Sequence, residues 1–295
     1  MTPRVAVVDV GSNSVRLLVS DVIDDHPTFV HTDKVMARLG QSLGREGRID
    51  DRKIGEVAGI VSRFVEDARR FGAREIRAIA TSATREAANG DELAEHVLAA
   101  SGVRLEVIDG DEEARLAFVG TLASLDEPQA GDIGVVDVGG GSTEIVVGSA
   151  ADGAAWSHSY RLGSGRLSDR FIEHDPPLAS EIEQIRTAIG AVLPPAHEVP
   201  TPEHGIAVAG SATNLRRMVG PLLDGESLAR ALRLLMASPS QQIARQFQVE
   251  PARARLLPAG ALIFEASLER LGTPLWVGRG GIRQGVVLDM VAAHR

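Results

Sequence analysis

The sequence predicts an α/β protein with two similar lobes, because one stretch of the chain is written twice. The stretch VAVVDVGSNSVRLLVS at 5–20 recurs as IGVVDVGGGSTEIVVG at 133–148, with a constant offset of 128 residues. Each copy consists of a Val-rich apolar run, an Asp-x-Gly turn and a second apolar run, which is the pattern of two buried strands joined by a tight turn. One such hairpin in each half of the chain predicts one lobe per half.

The segments after the first hairpin alternate between strand and helix patterns. The helix at 52–71 is the clearest of them, since its apolar residues are spaced three or four apart and a glycine ends it. In order, we predict a strand at 27–36, a glycine-rich loop at 39–49, the helix at 52–71, a strand at 75–80, a helix from Thr81, a helix at 92–100 capped by Asp91, a strand at 103–108 and a helix from Gly110. The polar, Pro- and Gly-containing segment 124–131 predicts the boundary between an N-terminal lobe at 1–124 and a C-terminal lobe at 125–295.

The second half repeats this alternation after its own hairpin. We predict a helix ending at Ile172, a helix at 178–193, a strand from Ile206 that leads into a helix, helices at 226–236 and 258–271, and a strand from Leu275 that leads through glycines into a terminal helix. This last helix belongs either to the C-terminal lobe or, packed back, to the first. The pair His174 and Asp175 resembles an HD metal dyad, but two prolines follow and no second histidine cluster supports a metal site. We therefore interpret it as a loop.

The composition limits the classes of function. The chain has 295 residues, a net charge of −9 and no cysteine. The acidic balance and the small number of aromatic residues argue against a nucleic-acid partner. No signal peptide is recognised and no apolar run approaches the ~18 residues of a membrane span, so we expect a cytoplasmic protein without a membrane partner. Lys34 and Lys53 are the only lysines among 31 basic residues. This Arg usage reflects either a high-GC genome or arginines that line an anion channel.

The glycine-containing turns of the two hairpins are candidate phosphate-binding loops. Glycines at 11, 139, 140 and 141 permit backbone conformations closed to other residues, so that successive N–H groups can point into one concavity and hold an anion. The chain has no Gly-Lys-Ser/Thr, as a P-loop would have, and a strand rather than a helix follows Gly141, which excludes the dinucleotide fingerprint. A single turn of this kind is commonly just the turn of a hairpin, but its duplication in both halves of the chain favours a phosphate-binding role.

Acidic residues near these loops are candidates for metal binding and proton transfer. Glu144 lies inside an apolar strand, and together with Asp137 it forms a plausible carboxylate pair for Mg²⁺. Glu112 and Glu113 open a helix directly after a strand. They either compensate the helix dipole or provide a general base.

Two further segments place polar groups at helix starts. Arg85 lies one turn into a helix that begins with hydroxyl residues, where it could reach a bound anion; the alternative is a surface arginine paired with Glu86 or Asp91. Ser211 follows a strand and a glycine, in a segment that could receive a nucleoside or another phosphate.

Six motifs together resemble one protein family across essentially the whole chain. They are DVGSNSVRLLV at 9–19, ATSATREAAN at 80–89, GDEEARLAF at 110–118, VVDVGGGSTEIVVG at 135–148, VAGSATNL at 208–215 and GGIRQGVVLDM at 280–290. The duplicated hairpin is similar to that of the actin-like (ASKHA, ribonuclease H-like) fold. The full set closely resembles the exopolyphosphatase and guanosine pentaphosphate phosphohydrolase (Ppx/GppA) family, and the short form looks like its actinobacterial members.

The resemblance implies a hydrolase with its site in a cleft between two actin-like lobes. It implies that Glu113 is the general base and that Asp137 and Glu144 bind Mg²⁺, or Mn²⁺ in its place, with Asp9 in the matching turn of the first lobe. It also implies that Arg85 acts in catalysis and in phosphate binding. The other candidate phosphate-binding residues are Ser12, Asn13, Ser14, Gly139, Gly140, Gly141, Ser142 and Ser211. Arg279 and Gln284 stand where the family often has acidic residues.

The resemblance leaves several functions open. We expect an exopolyphosphatase that removes the terminal phosphate of polyphosphate, and the chain ends at Arg295 without a further helical region, which favours short polyphosphates or a nucleotide. A pppGpp phosphohydrolase that yields ppGpp would keep the same mechanism. A kinase of the same superfold is disfavoured because no acceptor pocket is identified, and a non-catalytic alarmone or nucleotide sensor is the alternative from another class. Whether the protein forms a homodimer stays open.

Overall fold

The computed structural model describes residues 4–23, 26–43, 47–127 and 129–293. Parts of the predicted loop at 39–49 and of the connector at 124–131 therefore lie outside the described residues. The chain divides into two compact units: unit 1 runs up to Ser124 and resumes at Gly280, and unit 2 is Leu125–Arg279. The segment from Gly280 onward thus belongs to unit 1.

The described residues form eleven strands. These are β1 Val5–Val10, β2 Val15–Ile23, β3 His26–Val35, β4 Glu75–Ala80, β5 Leu105–Val107, β6 Ile133–Val138, β7 Thr143–Ser149, β8 Gly153–Tyr160, β9 His204–Val208, β10 Leu222–Leu223 and β11 Leu275–Val277.

Twelve α-helices connect or cover them within the same ranges. They are α1 Asp51–Arg70, α2 Ser82–Glu86, α3 Gly90–Ser101, α4 Gly110–Leu122, α5 Ser164–Phe171, α6 Ala179–Gly190, α7 Ala209–Val219, α8 Gly225–Ala237, α9 Ser240–Phe247, α10 Pro251–Ala254, α11 Leu257–Leu271 and α12 Ile282–Ala292. Short 3₁₀ turns occur at Leu39–Ser42 and Ala196–Glu198. No helix of the described chain is long and apolar enough to cross a membrane.

The two units carry the same sheet topology, which confirms the predicted duplication and the α/β class. The sheet of unit 1 has the order β3-β2-β1-β4-β5, and that of unit 2 has the order β10-β11-β9-β6-β7-β8. In each unit the repeated hairpin is antiparallel, and its first strand pairs in parallel with the strand that follows a helical crossover. In unit 2, β8, β7, β6, β9 and β11 correspond to the five strands of unit 1, and β10 is an addition at the edge.

The sheet of unit 1 is covered on both faces, which explains why its first strand is a continuous apolar run. Ala6, Val8 and Val10 of β1 point into a core formed with α1 and α3. Val5 and Val7 point to the other face, into a second core that includes residues of α4 and α12. The last described helix of the chain therefore completes a core that begins with the first strand.

Helices α4 and α12 approach each other closely through glycines. A Cβ atom at Gly120 of α4 would overlap the backbone at Gly281 and Gly285, and a Cβ at Gly285 would overlap the carbonyl oxygen of Leu116. Arg115 of α4 also forms an ion pair with an aspartate of α12. The position of α4 in unit 1 is thus fixed by direct backbone contact with α12.

Some predicted elements differ from those observed. Asp91 does not cap α3, because the helix begins earlier and Asn89 is its N-cap residue. The Asn89 side chain instead bonds the backbone of Ile49, accepting from its N–H at 2.9 Å and donating to its carbonyl at 3.0 Å. The helix from Thr81 is only the short α2. The sequence analysis did not identify β8 or α9.

The His174 loop of unit 2 is organised by one buried carboxylate. Glu181 of α6 accepts hydrogen bonds from the backbone N–H groups of Glu173 (2.8 Å), His174 (3.2 Å) and Leu178 (2.8 Å), and it is bonded to Nδ1 of His174 at 2.8 Å. Burial alone would raise the pKa of Glu181, but these hydrogen bonds together lower it to about 2. The loop interpretation of the HD pair is confirmed.

Replacing Glu181 by glutamine is expected to destabilise unit 2 by about 3 kcal/mol at pH 7. Because the folded-state pKa of about 2 lies below the ordinary 4.5, ionised Glu181 stabilises the fold above pH 4.5, and this contribution is lost as the pH falls towards 2. Urea unfolding followed by tryptophan fluorescence measures this effect, since Trp156 and Trp276, the two tryptophans of the chain, both belong to unit 2.

The matched control is Glu183→Gln, the same change at an exposed position of α6. It should alter stability by less than about 0.5 kcal/mol. A Glu181→Gln deficit that stays constant between pH 7 and pH 3 would show that the carboxylate charge is not what stabilises the loop.

Candidate functional site

The two repeated hairpins have turns of the same length and hydrogen bonding. The first loop, Gly11–Ser14, is closed by a bond from the Gly11 N–H to the Ser14 carbonyl at 3.1 Å. The second loop, Gly139–Ser142, is closed by the equivalent bond, at 3.0 Å. The flanking residues pair directly in both hairpins, Val10 with Val15 and Val138 with Thr143. The duplication seen in the sequence therefore extends to the backbone.

Neighbouring segments of each unit occupy the carbonyl groups of these loops. In the first loop, the Ser12 carbonyl accepts from the Gly40 N–H at 2.8 Å and the Asn13 carbonyl accepts from the Arg38 N–H at 2.9 Å. Within the described ranges, the N–H groups of Ser12 and Asn13 donate to no backbone carbonyl. Ser12 Oγ lies 2.9 Å from Ser82 Oγ, which ties the loop to α2.

The second loop shows the same division of donors and acceptors. Its Gly139 carbonyl accepts from the Ser164 N–H at 3.0 Å, and its Gly140 carbonyl accepts from the Arg166 N–H at 3.0 Å. The Arg166 guanidinium donates to the Gly141 carbonyl at 2.9 Å. Helix α5 thus holds the carbonyl side of the loop. In the part of the chain described, no backbone carbonyl accepts from the N–H groups of residues 140–142.

Gly11 and Gly139 serve close approach, and none of the loop glycines has a left-handed backbone, which corrects the sequence-based expectation. None of Gly11, Gly139, Gly140 and Gly141 has a positive φ. A Cβ at Gly139 would come within 3.1 Å of the Ser142 carbonyl oxygen, which is tighter than an ordinary contact. The adjoining segment is constrained as well, because a Cβ at Gly163 would overlap the backbone of residues 140 and 141.

Three buried polar atoms without a hydrogen-bond partner lie on these same segments. Among the described residues they are Asn13 Nδ2 in the first loop, Thr84 Oγ1 in α2 and Ser168 Oγ in α5. Leaving such a group unpaired costs about 1–3 kcal/mol, and a ligand that binds there is one explanation. The side-chain amide of Asn13 was not foreseen as a donor, since the sequence analysis assigned this residue for its position in the loop.

Unit 1 brings together the two residues predicted to act in catalysis. Glu113 of α4 is 8% exposed, and its Oε2 accepts a hydrogen bond from Arg85 Nη1 at 3.0 Å. The second Nη1 hydrogen of Arg85 is donated to the Ile108 carbonyl at 2.8 Å. Arg85 therefore pairs with Glu113 instead of Glu86 or Asp91, the two partners considered for a surface arginine. Its Nε and Nη2 groups are not used by these two bonds.

Glu112, next to Glu113, has a different environment. Its carboxylate accepts two hydrogen bonds from Arg115, at 2.7 and 2.8 Å, and its N–H is capped by Asp109 at 2.8 Å. The hydrogen bond from Arg115 lowers the pKa of Glu112. Glu112 therefore takes part in capping and ion pairing in the first turn of α4, whereas Glu113 is buried against Arg85.

Unit 2 brings together the two acids predicted to bind a metal ion. Asp137 of β6 and Glu144 of β7 are direct cross-strand partners, so their side chains lie on the same face of the sheet. Glu144 is 2% exposed, and its Oε1 accepts a hydrogen bond from Ser159 of β8 at 2.7 Å. The described residues contain no group of three or more His, Cys, Asp or Glu side chains arranged to hold a metal ion.

In unit 1, the residues that correspond to Asp137 and Glu144 are an acid and a base rather than two acids. Asp9 is the cross-strand partner of Arg16, which occupies in the first copy of the repeat the place of Glu144 in the second. Burial raises the pKa of Asp9, and the positive charges of Arg283 and Arg16 act in the opposite direction. An acid paired across the strands with an arginine does not have the surroundings that favour a bound cation, whereas two facing carboxylates do.

Ser211 is buried near the start of α7, against α11. A Cβ at Gly260 of α11 would lie 3.0 Å from Ser211 Oγ, and 3.7 Å from the Ser164 side chain of α5. Ser211 is thus placed near the segment that holds the second loop. The preceding Ala209 has a φ of 69°, in the left-handed region that favours glycine.

The sequence of this chain is similar to that of one protein family over nearly its whole length. Residues 18–294 match the model of the Ppx/GppA phosphatase family. The chain is 32% identical to exopolyphosphatase 1 of Mycobacterium leprae, over 97% of this chain and 88% of that protein, and 30% identical to exopolyphosphatase 2 of Mycobacterium tuberculosis, over 98% and 97%.

Solved structures of relatives show the same fold over nearly the whole of each chain. An exopolyphosphatase from Cytophaga hutchinsonii aligns with a TM-score of 0.88 and 25% identity, over 98% of each chain. The Ppx/GppA family member of Aquifex aeolicus aligns with a TM-score of 0.83 and 27% identity, over 100% of this chain and 99% of that one. The two actin-like units and the hydrolase class are therefore confirmed, and the chain belongs to the Ppx/GppA phosphatase family.

Proposed function

We propose that the protein is an exopolyphosphatase that hydrolyses the terminal phosphate of short-chain inorganic polyphosphate with Mg²⁺. The observation that carries the proposal is the pair formed by Glu113 and Arg85, a buried carboxylate in contact with a cation that has further N–H groups to donate. The names of the mycobacterial relatives support the choice of substrate.

Glu113 is the residue that activates water in this proposal. A water oxygen attacks the terminal phosphorus, the bond from that phosphorus to the bridging oxygen breaks, and the products are orthophosphate and a chain one phosphate shorter. Glu113 accepts the proton of the attacking water. Phosphoryl transfer requires mainly positioning and charge stabilisation, which a fixed carboxylate and neighbouring donors provide.

Phosphate oxygens are bound by groups that the fold leaves without internal partners. Among the described residues, the backbone N–H groups of Ser12 and Asn13 in the first loop and of residues 140–142 in the second are such donors, because they donate to no backbone carbonyl. The Nε and Nη2 groups of Arg85 and the buried amide of Asn13 add side-chain donors. Successive backbone N–H groups bind anions well when no carbonyl opposes them.

Asp137 and Glu144 are the residues that would hold Mg²⁺, or Mn²⁺ in its place. Their facing carboxylates, with the Ser159 hydroxyl beside them, form the oxygen-only donor set that Mg²⁺ prefers. When bound, the ion would neutralise negative charge on the phosphate oxygens. Asp9 is the cross-strand partner of Arg16, and we do not assign it to the metal.

The first test is phosphate release from tripolyphosphate, from long-chain polyphosphate and from pppGpp in parallel, each with Mg²⁺ or with EDTA. Release from tripolyphosphate that depends on Mg²⁺ is the expected result. Release from pppGpp alone would replace the substrate and keep the mechanism. Tight binding of pppGpp without release from any substrate would identify a sensor and contradict the proposal.

The metal assignment is tested in the same assay by titrating Mg²⁺ against Glu144→Gln. Removing one of two facing carboxylates should raise the Mg²⁺ concentration for half-maximal activity by about tenfold or more. An unchanged Mg²⁺ requirement would remove Glu144 from the metal site.

A further inference from the structure

The surroundings of Asp9 give helix α12 a role beyond folding. Along β1, Asp9 lies on the same face of the sheet as Val5 and Val7, because strand side chains alternate. Its cross-strand partner Arg16 shares that face with Leu18. Asp9 is only 9% exposed, so its charge requires compensation from within the protein.

Helix α12 covers this face of the sheet. Val286 and Val287 pack in one core with Val5 and Val7. Arg283 precedes these two valines by three and four residues, so it lies on the same side of the helix. Its charge acts on Asp9 together with that of Arg16. The glycine contacts between α12 and α4 fix where the helix begins, and hence where Arg283 lies.

The first loop begins two residues after Asp9 and ends two residues before Arg16. Arg16 Nε also donates to Ser14 Oγ at 3.2 Å. The same arginine therefore contacts the end of the loop and pairs with the strand that leads into it. In unit 2 the corresponding pair is Asp137 and Glu144, where no arginine takes this place in the strand.

We propose that Arg283 is a positioning residue of the enzyme, which together with Arg16 anchors the Asp9 carboxylate and thereby fixes the first phosphate loop at the end of β1. The proposal rests on the proposed function for its catalytic consequence. It makes α12 part of the catalytic apparatus and assigns Asp9 to loop positioning rather than to the metal ion.

The test compares Arg283→Met, Asp9→Asn and the double variant in the full chain. The Kd of tripolyphosphate is measured by calorimetry in EDTA, where no turnover is expected, and kcat/KM is measured with Mg²⁺. We expect Arg283→Met to weaken binding about tenfold and to lower kcat/KM about 100-fold, since misplacing a binding group by about 1 Å has effects of this size. Arg69→Met, on the exposed side of α1, is the control and should change neither value by more than about twofold.

The double variant distinguishes charge compensation from simple damage. If Arg283 acts through Asp9, removing both charges should recover at least about tenfold in kcat/KM relative to the product of the single effects. Multiplicative losses, or wild-type binding by Arg283→Met, would overturn the proposal. If wild type binds tripolyphosphate without hydrolysing it, the proposed function fails, but the binding measurements still test Arg283.

Arg283→Lys keeps the test decisive if Arg283→Met does not fold, as judged by circular dichroism. Lysine retains the charge, so we expect this variant to fold and to bind tripolyphosphate within about fivefold of wild type. Two results for Arg283→Lys would contradict the proposal: binding as weak as that of Arg283→Met, or the same failure to fold. Either would show that Arg283 is not needed to compensate the charge on Asp9.

Discussion

Replacing Glu113 by glutamine is expected to lower kcat by about 10²–10⁴-fold, the usual contribution of a general base. Glutamine has nearly the same shape, and its carbonyl oxygen can still accept the hydrogen bond from Arg85, but it cannot take a proton from water. KM for polyphosphate should therefore change little. Steady-state phosphate release from tripolyphosphate measures both constants.

Glu112→Gln is the matched control for this substitution. It makes the same change one residue earlier on α4, at a side chain that is paired with Arg115. Its activity should stay within about threefold of wild type, whatever it does to stability. A Glu113→Gln protein that folds and keeps more than a tenth of wild-type kcat would require a different base.

Gly285→Ala is expected to have the largest effect on stability, about 3 kcal/mol or more. The added methyl group would overlap the backbone of Leu116, and a backbone atom cannot move aside as a flexible side chain can. Relief requires α12 to move away from α4, which carries Glu113. Thermal unfolding by circular dichroism should show the loss, and kcat should fall by more than tenfold even at temperatures where the variant is folded.

Gly59→Ala provides the contrasting case in the same unit. This glycine lies on the exposed side of α1, and a Cβ there meets no atom within 4 Å. Alanine should stabilise the protein by about 0.5–1 kcal/mol through its higher helix propensity. If Gly285→Ala were as well tolerated as Gly59→Ala, the close contact between α4 and α12 would not exist in solution.

The sequence predicted those elements that depend on the spacing of neighbouring residues, such as amphipathic helices and hairpins. Helix α1 was predicted to within a residue at each end, and its seven buried apolar residues are those spaced at three and four. The facing of Asp137 and Glu144 also follows from the sequence, because a hairpin with a four-residue turn sets which residues oppose each other. Strand β8 was missed because, as an edge strand, it reads Gly-Ala-Ala-Trp-Ser-His-Ser-Tyr and has no apolar alternation.

Contacts between distant parts of the chain could not be predicted in this way. Arg85 and Glu113 are 28 residues apart, and each had a plausible local role, as a surface cation and as a helix cap. Ser159 bonds Glu144 only because β8 pairs beside β7. Gly11 and Gly139 were assigned to the wrong property, since the sequence does not distinguish a glycine needed for its dihedral angles from one needed for its size.

The discontinuous composition of unit 1 also determines the order in which the protein can mature on the ribosome. All residues of unit 2 have been synthesised once residue 279 is added, whereas unit 1 still lacks helix α12 at that point. Until then, the apolar face formed by Val5, Val7 and Leu18 lacks the residues of α12 that complete its core. Unit 1 is therefore completed only after all of unit 2 has been made, and until then the nascent chain exposes this surface to chaperones and to aggregation.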